Sequence, residues 1–268
     1  MHELAIYGQL SYLLMVALTP RQTVELFHLV FLRALFANAG DKRLIAIKGG
    51  INLRFYFQSV RFSEDLDLDV ATIAKGTLEN RVDRLLDSAA VTAPLRSRGI
   101  AIEEVSKPKQ TETVQRWKVA LVPVDATRPE HTKLEFSRRD GTDAAELDPV
   151  DAAIAKVYAL PAFLATHYRC QEAVEQKIDA LARRTQTQPR DVFDLHVLFA
   201  RPDAPVRIEE PEHGWFDKAI ANAMELTYDQ YVSLVVAYLD PDHAPLYSSQ
   251  ETWATMQLSV VENIEKLR

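Results

Sequence analysis

The sequence is short of several features that define whole classes of protein. Its 268 residues include one cysteine, Cys170, so an internal disulfide is excluded and a reducing cytoplasm is the expected compartment. Cysteine and histidine nowhere cluster with the spacing of a zinc site. A net charge of −7 argues against a general nucleic-acid coat, although a local basic patch can still bind RNA or DNA.

Long hydrophobic runs are missing as well. The most apolar window, residues 4–18, is interrupted by Gln9 and Ser11 and is shorter than the roughly 20 residues that cross a bilayer. It also lacks the basic start of a signal peptide. We therefore expect no membrane association and a core helix in this window, ended by Pro20, with Thr23 capping the next helix.

Glycine is scarce, and its placement is informative. The chain holds eight glycines, fewer than the average share of about 7% would give, yet Gly49 and Gly50 are adjacent. Residues 44–47 before them have the apolar run of a buried strand, and residues 51–57 after them have the spacing of a short helix. Glycine at a helix start lets a ligand approach the backbone, where free N–H groups favour phosphate. This pattern predicts a phosphate-binding turn.

A row of acidic side chains follows. Residues 63–70 alternate as a strand, so Asp65, Asp67 and Asp69 share one face while the apolar side chains point into a core. Aspartate is depleted in strands, and like charges on one face repel unless a cation relieves them. We interpret Asp65 and Asp67 as ligands of Mg²⁺ or Mn²⁺. Two such ions roughly 4 Å apart can stabilise both the attacking and the leaving oxygen in phosphoryl transfer. The alternative interpretation is that the three aspartates form the solvated face of a polar edge strand. Asp69 lies two residues further along the strand than Asp67 and is not assigned to the metal site.

Two stretches resemble the motifs of one protein family. The first is Lys48-Gly49-Gly50-x-Asn52-Leu53 followed by Arg61-x-Ser63-x-Asp65-Leu66-Asp67. The second is Glu175-x-Lys177-x-x-Ala180-Leu181-x-x-Arg184 followed by Pro189-Arg190-Asp191-x-x-Asp194-Leu195. Both stretches, in this order, resemble the AbiEii-type nucleotidyltransferase-like toxins over residues 44–200.

The resemblance implies a fold and an activity. The expected fold is α+β, with a small mixed sheet and flanking helices of nucleotidyltransferase type followed by a mainly helical domain. The polar residues 138–147, which include Gly141, place the boundary between them, so the two domains are predicted as residues 1–147 and 148–268. The active site would lie in the cleft between them. The implied protein is a toxin of a bacterial toxin–antitoxin or abortive-infection (phage-defence) system, controlled by a cognate antitoxin. It would transfer nucleotides from an NTP, with Mg²⁺, to an acceptor hydroxyl such as the 3′ end of a tRNA.

A third carboxylate is expected in such a site, to bind metal or to accept a proton from the attacking hydroxyl. Glu135 is the candidate, because it lies on the predicted strand of residues 131–137 with a polar face. A solvated strand face is the alternative interpretation. Asp125, at the end of the preceding predicted strand of residues 114–124, is the weaker substitute.

The glycine turn would be completed by neighbouring polar side chains. Lys48 would neutralise phosphate, or else form a salt bridge with one of the carboxylates. Ser63, on the face of the aspartates, and Arg61 are assigned to phosphate binding, with a turn hydroxyl and a surface arginine as the alternatives.

The second motif places charge on helix faces that should be apolar. Lys177 lies within the apolar stripe of the predicted helix of residues 171–184, which is costly unless an anion meets it. By resemblance, Lys177 and Asp191 correspond to active-site positions, with the lysine near the triphosphate. Alternatively, Lys177 extends its stem to reach solvent, and Asp191 is a helix-start residue stabilised by the helix dipole. The carboxylates of Asp191 and Asp194 could also pair with Lys177 or Arg184. Asp194 is interpreted as structural.

Two other functions remain open from the residues alone. One is a catalytically inactive module that binds nucleotides and sequesters a partner, and the other is a metal-dependent phosphohydrolase that uses the same aspartates. For the acceptor, a local basic surface is expected from four arginines: Arg183, Arg184, Arg190 and Arg201.

Overall fold

The computed structural model describes residues 17–37, 42–138, 142 and 144–268. The core helix expected over residues 4–18 lies almost wholly outside this range. Among the helices that are described, none has both the length and the hydropathy needed to cross a membrane.

Helices and strands alternate in the first part of the described chain, four strands follow one another over residues 100–149, and the elements after residue 168 are helices. The α-helices are α1 (Pro20–Ala37), α2 (Gly49–Tyr56), α3 (Lys75–Leu86), α4 (Ala89–Arg96), α5 (Ala152–Val157), α6 (Cys170–Arg183), α7 (Pro189–Phe199), α8 (Trp215–Met224), α9 (Tyr228–Leu234), α10 (Ala244–Tyr247) and α11 (Gln250–Lys266). The strands are β1 (Ile45–Lys48), β2 (Asp65–Val70), β3 (Ile100–Gln110), β4 (Val114–Pro123), β5 (Glu130–Ser137), β6 (Ala145–Pro149) and β7 (Leu164–Tyr168).

The chain forms two compact units, and neither is continuous in sequence. The first, here called the sheet unit, comprises the described residues of Met1–Ile51 and Ser63–His167. The second, the helical unit, comprises Asn52–Phe62 and Tyr168–Arg268. The sheet unit thus continues past residue 147, where the polar segment of the sequence suggested a boundary, because β6 and β7 belong to its sheet.

The sheet unit is built on one mixed sheet of seven strands in the order β3-β4-β5-β2-β1-β7-β6. β1 runs antiparallel to β2, and β2 runs parallel to β5. β4 is antiparallel to both of its neighbours, β3 and β5. A mixed sheet with flanking helices is the predicted fold class, which the structure confirms.

Helix α1 supplies much of the core behind the sheet. It begins at Pro20, so the prediction that Thr23 caps this helix is wrong. The first helix that Pro20 was expected to end falls almost wholly on residues 4–16, outside the described range. Proline is well tolerated in the first helical turn, because its missing N–H would have no partner there. Thr23 is therefore inside the helix, where it is buried.

The helical unit has a core of its own. The apolar stripe predicted for residues 171–184 is observed on α6, where Val174, Ile178 and Leu181 are fully buried. Leu53 and Phe57, from the segment of residues 52–62, pack into the same cluster. The segment that follows the glycine turn is therefore part of the helical unit's core.

Candidate active site on the sheet

One face of β2 is acidic and the other is apolar, as the alternation predicted. Leu66 and Leu68 are completely buried, whereas Asp65 and Asp67 are partly exposed. Asp69 is on the same face as the other aspartates but is 5% exposed. The alternation of strand side chains accounts for this division.

The strand register brings further charged side chains into line with Asp67. Its partner on β1 is Lys48 and its partner on β5 is Glu135, which in turn pairs with Arg116 of β4. Paired residues on neighbouring strands point to the same side of a sheet. Lys48, Asp67 and Glu135, which the sequence singled out separately, therefore form one row across three strands.

Most carboxylates of this surface are neutralised within the sheet unit. We call it the acidic face, defined by Asp65, Asp67, Asp69 and Glu135. Its ion pairs are Lys48 Nζ–Asp69 Oδ1 at 2.5 Å, Lys133 Nζ–Asp65 Oδ2 at 2.7 Å and Arg116 Nη2–Glu135 Oε2 at 2.5 Å. The salt bridge left open for Lys48 is thus present.

Asp67 is different from its neighbours. Within the described ranges its carboxylate makes no ion pair and no hydrogen bond. Burial raises the pKa of Asp67, and the charges of Asp65 and Glu135 raise it further against the opposing effect of Lys133 and Lys48. A cation beside Asp67 would remove this electrostatic cost. Carboxylate oxygens are also the ligands that Mg²⁺ prefers, so the donor set fits that ion.

The glycine turn lies against this carboxylate. Gly49 is the first residue of α2 and has φ +68°, a conformation that side chains disfavour. A Cβ atom at Gly49 would lie 3.1 Å from Asp67 Oδ2. The N–H groups at the start of α2, with Gly50 as its second residue, are therefore close to the carboxylate that lacks a partner.

The remaining sheet candidates are also placed. Ser63 precedes β2, and its hydroxyl donates a 3.0 Å hydrogen bond to the backbone oxygen of Asp65. Asp125 lies in an exposed turn after β4, whereas Glu135 is in register with Asp67. Of the two candidates for the third carboxylate, Glu135 is the one that shares the row of Asp67.

A second charged cluster lies inside the helical unit. Lys177 Nζ of α6 lies 2.6 Å from Asp194 Oδ2 and 3.0 Å from Asp191 Oδ1, both on α7. Arg61 Nη2 lies 2.9 Å from Asp194 Oδ1, and Arg184 Nη1 lies 2.7 Å from Asp191 Oδ2. We call these five residues the buried ion-pair network, since both of its aspartates are 0% exposed.

The network holds three cations and two carboxylates. Burial alone would raise the pKa of Asp194, but the adjacent Arg61 and Lys177 outweigh it and hold the pKa below its usual value. The anion that Lys177 requires is thus supplied by α7, which is one of the alternatives the sequence left open. The roles of Lys177 and Asp191 at a triphosphate, and of Arg61 at a phosphate, stay predictions.

Sequence reasoning missed three basic residues of the site. Arg116 and Lys133 each pair with a carboxylate of the acidic face, and Lys118 is registered beside Lys133. The signal that could have found two of them is the alternation of residues 114–124, which places Arg116 and Lys118 on one face of a strand. Only the register between strands shows that this face continues that of Asp67.

Another group of possible metal ligands lies elsewhere on the sheet. One ligand atom from each of Glu146, Asp148 and His167 lies within 4.8 Å of the others. His167 is registered with Ile47, whose partner on β2 is the buried Leu68. This group therefore lies on the opposite side of the sheet from Asp67 and is separate from the predicted metal site.

Comparison with known proteins gives matches in sequence and in fold. A family model described as nucleotidyl transferase AbiEii toxin, type IV TA system, matches residues 30–265. The chain is similar in fold to JHP933 from Helicobacter pylori, with TM-score 0.56 and 19% identity over 94% of this chain and 96% of that one. It is also similar to MenT4, a nucleotidyltransferase toxin from Mycobacterium tuberculosis H37Rv, with TM-score 0.57 and 18% identity over 94% and 87%. No curated protein matches the chain.

Proposed function

The chain belongs to the nucleotidyl transferase AbiEii toxin family of type IV toxin–antitoxin systems, and we propose that its acidic face transfers a nucleotidyl group from an NTP to an acceptor hydroxyl. The acceptor in this proposal is the 3′ end of a tRNA, the metal is Mg²⁺, and the reaction takes place in the cytoplasm. The observation that carries the proposal is the position of Asp67, which lies in register with Glu135 and against Gly49.

Asp65, Asp67 and Glu135 would hold the metal. A bound divalent cation would supply Lewis-acid stabilisation of the charge that develops on the transferring phosphate. Asp67 is the natural ligand, because burial raises its pKa and its carboxylate forms no ion pair with a described residue. Asp65 and Glu135 are already paired with Lys133 and Arg116, which would hold both carboxylates in position.

The glycine turn and its neighbours would bind the triphosphate. The N–H groups of Gly49 and Gly50 at the start of α2 are suited to phosphate oxygens, and Lys48 adds a positive charge one residue earlier. The oxygen of the acceptor hydroxyl would then attack the α-phosphorus of the NTP, and the bond between this phosphorus and the pyrophosphate leaving group would break. Glu135 would accept the proton of the acceptor hydroxyl.

The helical unit carries the second family motif, and we assign that motif to binding of the triphosphate. Lys177 and Asp191 match the family pattern, and the buried ion-pair network has one positive charge more than negative charges. Of its three cations, Arg184 is the one exposed to solvent, at 39%, so an external anion can reach it. The network therefore supports a role in binding a phosphate group.

The test is nucleotide transfer by the wild-type chain and by Asp67→Asn. Incubation with labelled NTPs, MgCl₂ and total RNA should label RNA and release pyrophosphate. Asp67→Asn should lower the rate by at least about 100-fold, because a neutral amide cannot replace the metal-ligating charge. Asp125→Asn, in an exposed turn outside the row, is the matched control and should keep the wild-type rate.

Other outcomes would overturn the proposal in different ways. Release of inorganic phosphate without labelled RNA would make the protein a phosphohydrolase. NTP binding without any turnover would make it a sequestering module. As a toxin, the wild-type chain should also arrest growth when it is expressed without its antitoxin, and Asp67→Asn should not.

A further inference from the structure

The acidic face continues into a basic surface on the same side of the sheet. Arg116 on β4 is registered with Glu135 on one side and with Lys109 of β3 on the other. In the adjacent row, Lys118 of β4 is registered with Lys133. We call Lys109, Arg116, Lys118 and Lys133 the basic strip. Since registered side chains share a side, the strip begins directly beside the carboxylates.

We propose that the basic strip binds the phosphate backbone of a single-stranded nucleic-acid acceptor and leads its 3′ hydroxyl to Glu135 and Asp67. The inference rests on the proposed nucleotidyl transfer and adds where the acceptor lies and which residues hold it. It assigns binding functions to Lys109 and Lys118, which the motifs do not include.

The charges of the strip are of two kinds. Arg116 and Lys133 are committed to Glu135 and Asp65 by short ion pairs. Lys109 and Lys118 are exposed and form no ion pair with any residue that the structure describes. Their charge is therefore available to an external anion, on β3 and β4, the two strands beyond β5 at that end of the sheet.

The basic surface expected from the helical unit is less suitable. Arg183 Nε lies 2.9 Å from Asp179, Arg184 Nη1 lies 2.7 Å from Asp191, and Arg201 Nε lies 2.9 Å from Asp203. Three of the four expected arginines therefore have carboxylate partners. Arg190 forms no ion pair with a described residue, whereas the strip has two such lysines, Lys109 and Lys118. In a chain with a net charge of −7, an acceptor must bind where local positive charge is unpaired, which favours the strip.

A nucleic acid fits this surface better than a protein does. Protein interfaces usually have an apolar, largely uncharged centre. The strip instead carries four cationic side chains, and the residue on β3 that is registered with Lys118 is the polar Ser106. Phosphates spaced along a flexible strand match such a surface, and binding of this kind depends strongly on salt.

The experiment measures RNA binding apart from catalysis. The full chain is titrated into a fluorescein-labelled single-stranded oligoribonucleotide with a free 3′ hydroxyl, without NTP, and anisotropy gives the dissociation constant at several salt concentrations. The double variant Lys109→Ala/Lys118→Ala should bind about 10-fold or more weakly. Its salt slope should fall by about 1.4, because each phosphate contact with a single strand contributes about 0.7.

Lys107→Ala is the matched control. Lys107 is on the same strand as Lys109, but its ammonium group is held by Glu79 and Asp83 of α3 at 2.7 and 3.0 Å. Its removal should leave both the affinity and the salt slope unchanged. Melting temperatures close to wild type should accompany all variants, since the altered lysines are solvent-exposed or lie on an edge strand.

Several results would overturn the inference. An equal loss of RNA affinity in the double variant and in Lys107→Ala would show that binding depends on overall charge and not on the strip. RNA binding unaffected by the double variant would place the acceptor elsewhere. Loss of binding to the purified antitoxin, with RNA binding unchanged, would make the strip a protein-docking surface. Labelled-NTP transfer is assayed separately, so a failure of the proposed chemistry is distinct from a failure of the strip.

Discussion

Single residues of the sheet unit carry costs that only a function or a constrained fold explains. Asp67 has a raised pKa and no partner among the described side chains, which is unfavourable for folding but useful for a metal ligand. Gly49 adopts a positive φ beside that carboxylate. Features of this kind concentrate at active sites, where the rest of the fold compensates for them.

Gly49 can be tested against another glycine of the same chain. Gly49→Ala should lower the free energy of unfolding by about 1–2 kcal/mol, because it forces a side chain into a positive φ and toward Asp67. A Cβ atom at Gly76, in the first turn of α3, would meet no other atom within 4 Å. Gly76→Ala should therefore be neutral or stabilising in the same urea titration. Equal effects of the two changes would contradict the role of Gly49.

His28 predicts a pH dependence of stability. It is fully buried, its Nε2 lies 2.7 Å from Thr132 Oγ1, and burial lowers its pKa to about 3. The folded state therefore keeps His28 neutral below pH 6.5, where the unfolded chain takes up a proton. From this group alone, the free energy of unfolding should fall by about 1.4 kcal/mol per pH unit between 6.5 and about 3.

Urea titrations at pH 7 and pH 5 measure this effect. The variant His28→Gln removes the titrating group, so the loss of stability between the two pH values should become smaller by about 2 kcal/mol. An identical pH dependence in wild type and variant would mean that His28 is not the group responsible.

At the scale of secondary-structure elements, α6 and α7 are joined by the buried ion-pair network as well as by apolar packing. Lys177 supplies the positive charge between the two carboxylates of α7. Without Lys177 each aspartate would keep one arginine, Arg61 at Asp194 and Arg184 at Asp191, but would lose its charged hydrogen bond to α6. The pairing of these two helices therefore depends on Lys177.

Lys177→Met tests that dependence. The variant keeps the packing of the side-chain stem but removes one charged hydrogen bond from each aspartate, so the free energy of unfolding should fall by about 1.5–3 kcal/mol in denaturant titration. Arg183→Met removes one half of an exposed pair with Asp179 on the same helix, and it should cost at most about 1 kcal/mol. A Lys177→Met chain as stable as the Arg183→Met chain would show that the network contributes little to the fold.

At the scale of the whole molecule, the order of elements along the chain differs from their grouping into units. Residues 52–62 belong to the helical unit, although they lie between β1 and β2 of the sheet unit. A boundary inferred from a polar stretch assumes that each unit is continuous in sequence. Long-range contacts, such as that of Leu53 and Phe57 with the helical core, are not visible in local composition.

The sequence alone determined what depends on local pattern. The alternation in β2 defined the acidic face, the adjacent glycines marked the start of α2, and the two motifs identified the family, because each signal lies within a few residues. The apolar stripe of α6 was predictable for the same reason, whereas the mixed sheet was predicted through the resemblance to the family.

Only the tertiary structure determined which distant side chains lie next to one another. Register between β1, β2, β5 and β4 put Glu135 beside Asp67 and showed the basic strip, while packing of α6 on α7 gave Lys177 its partners. These pairings join residues far apart in the chain. Strand register is set by the burial of whole faces and helix pairing by the fit of side chains, and neither is encoded in one stretch of sequence.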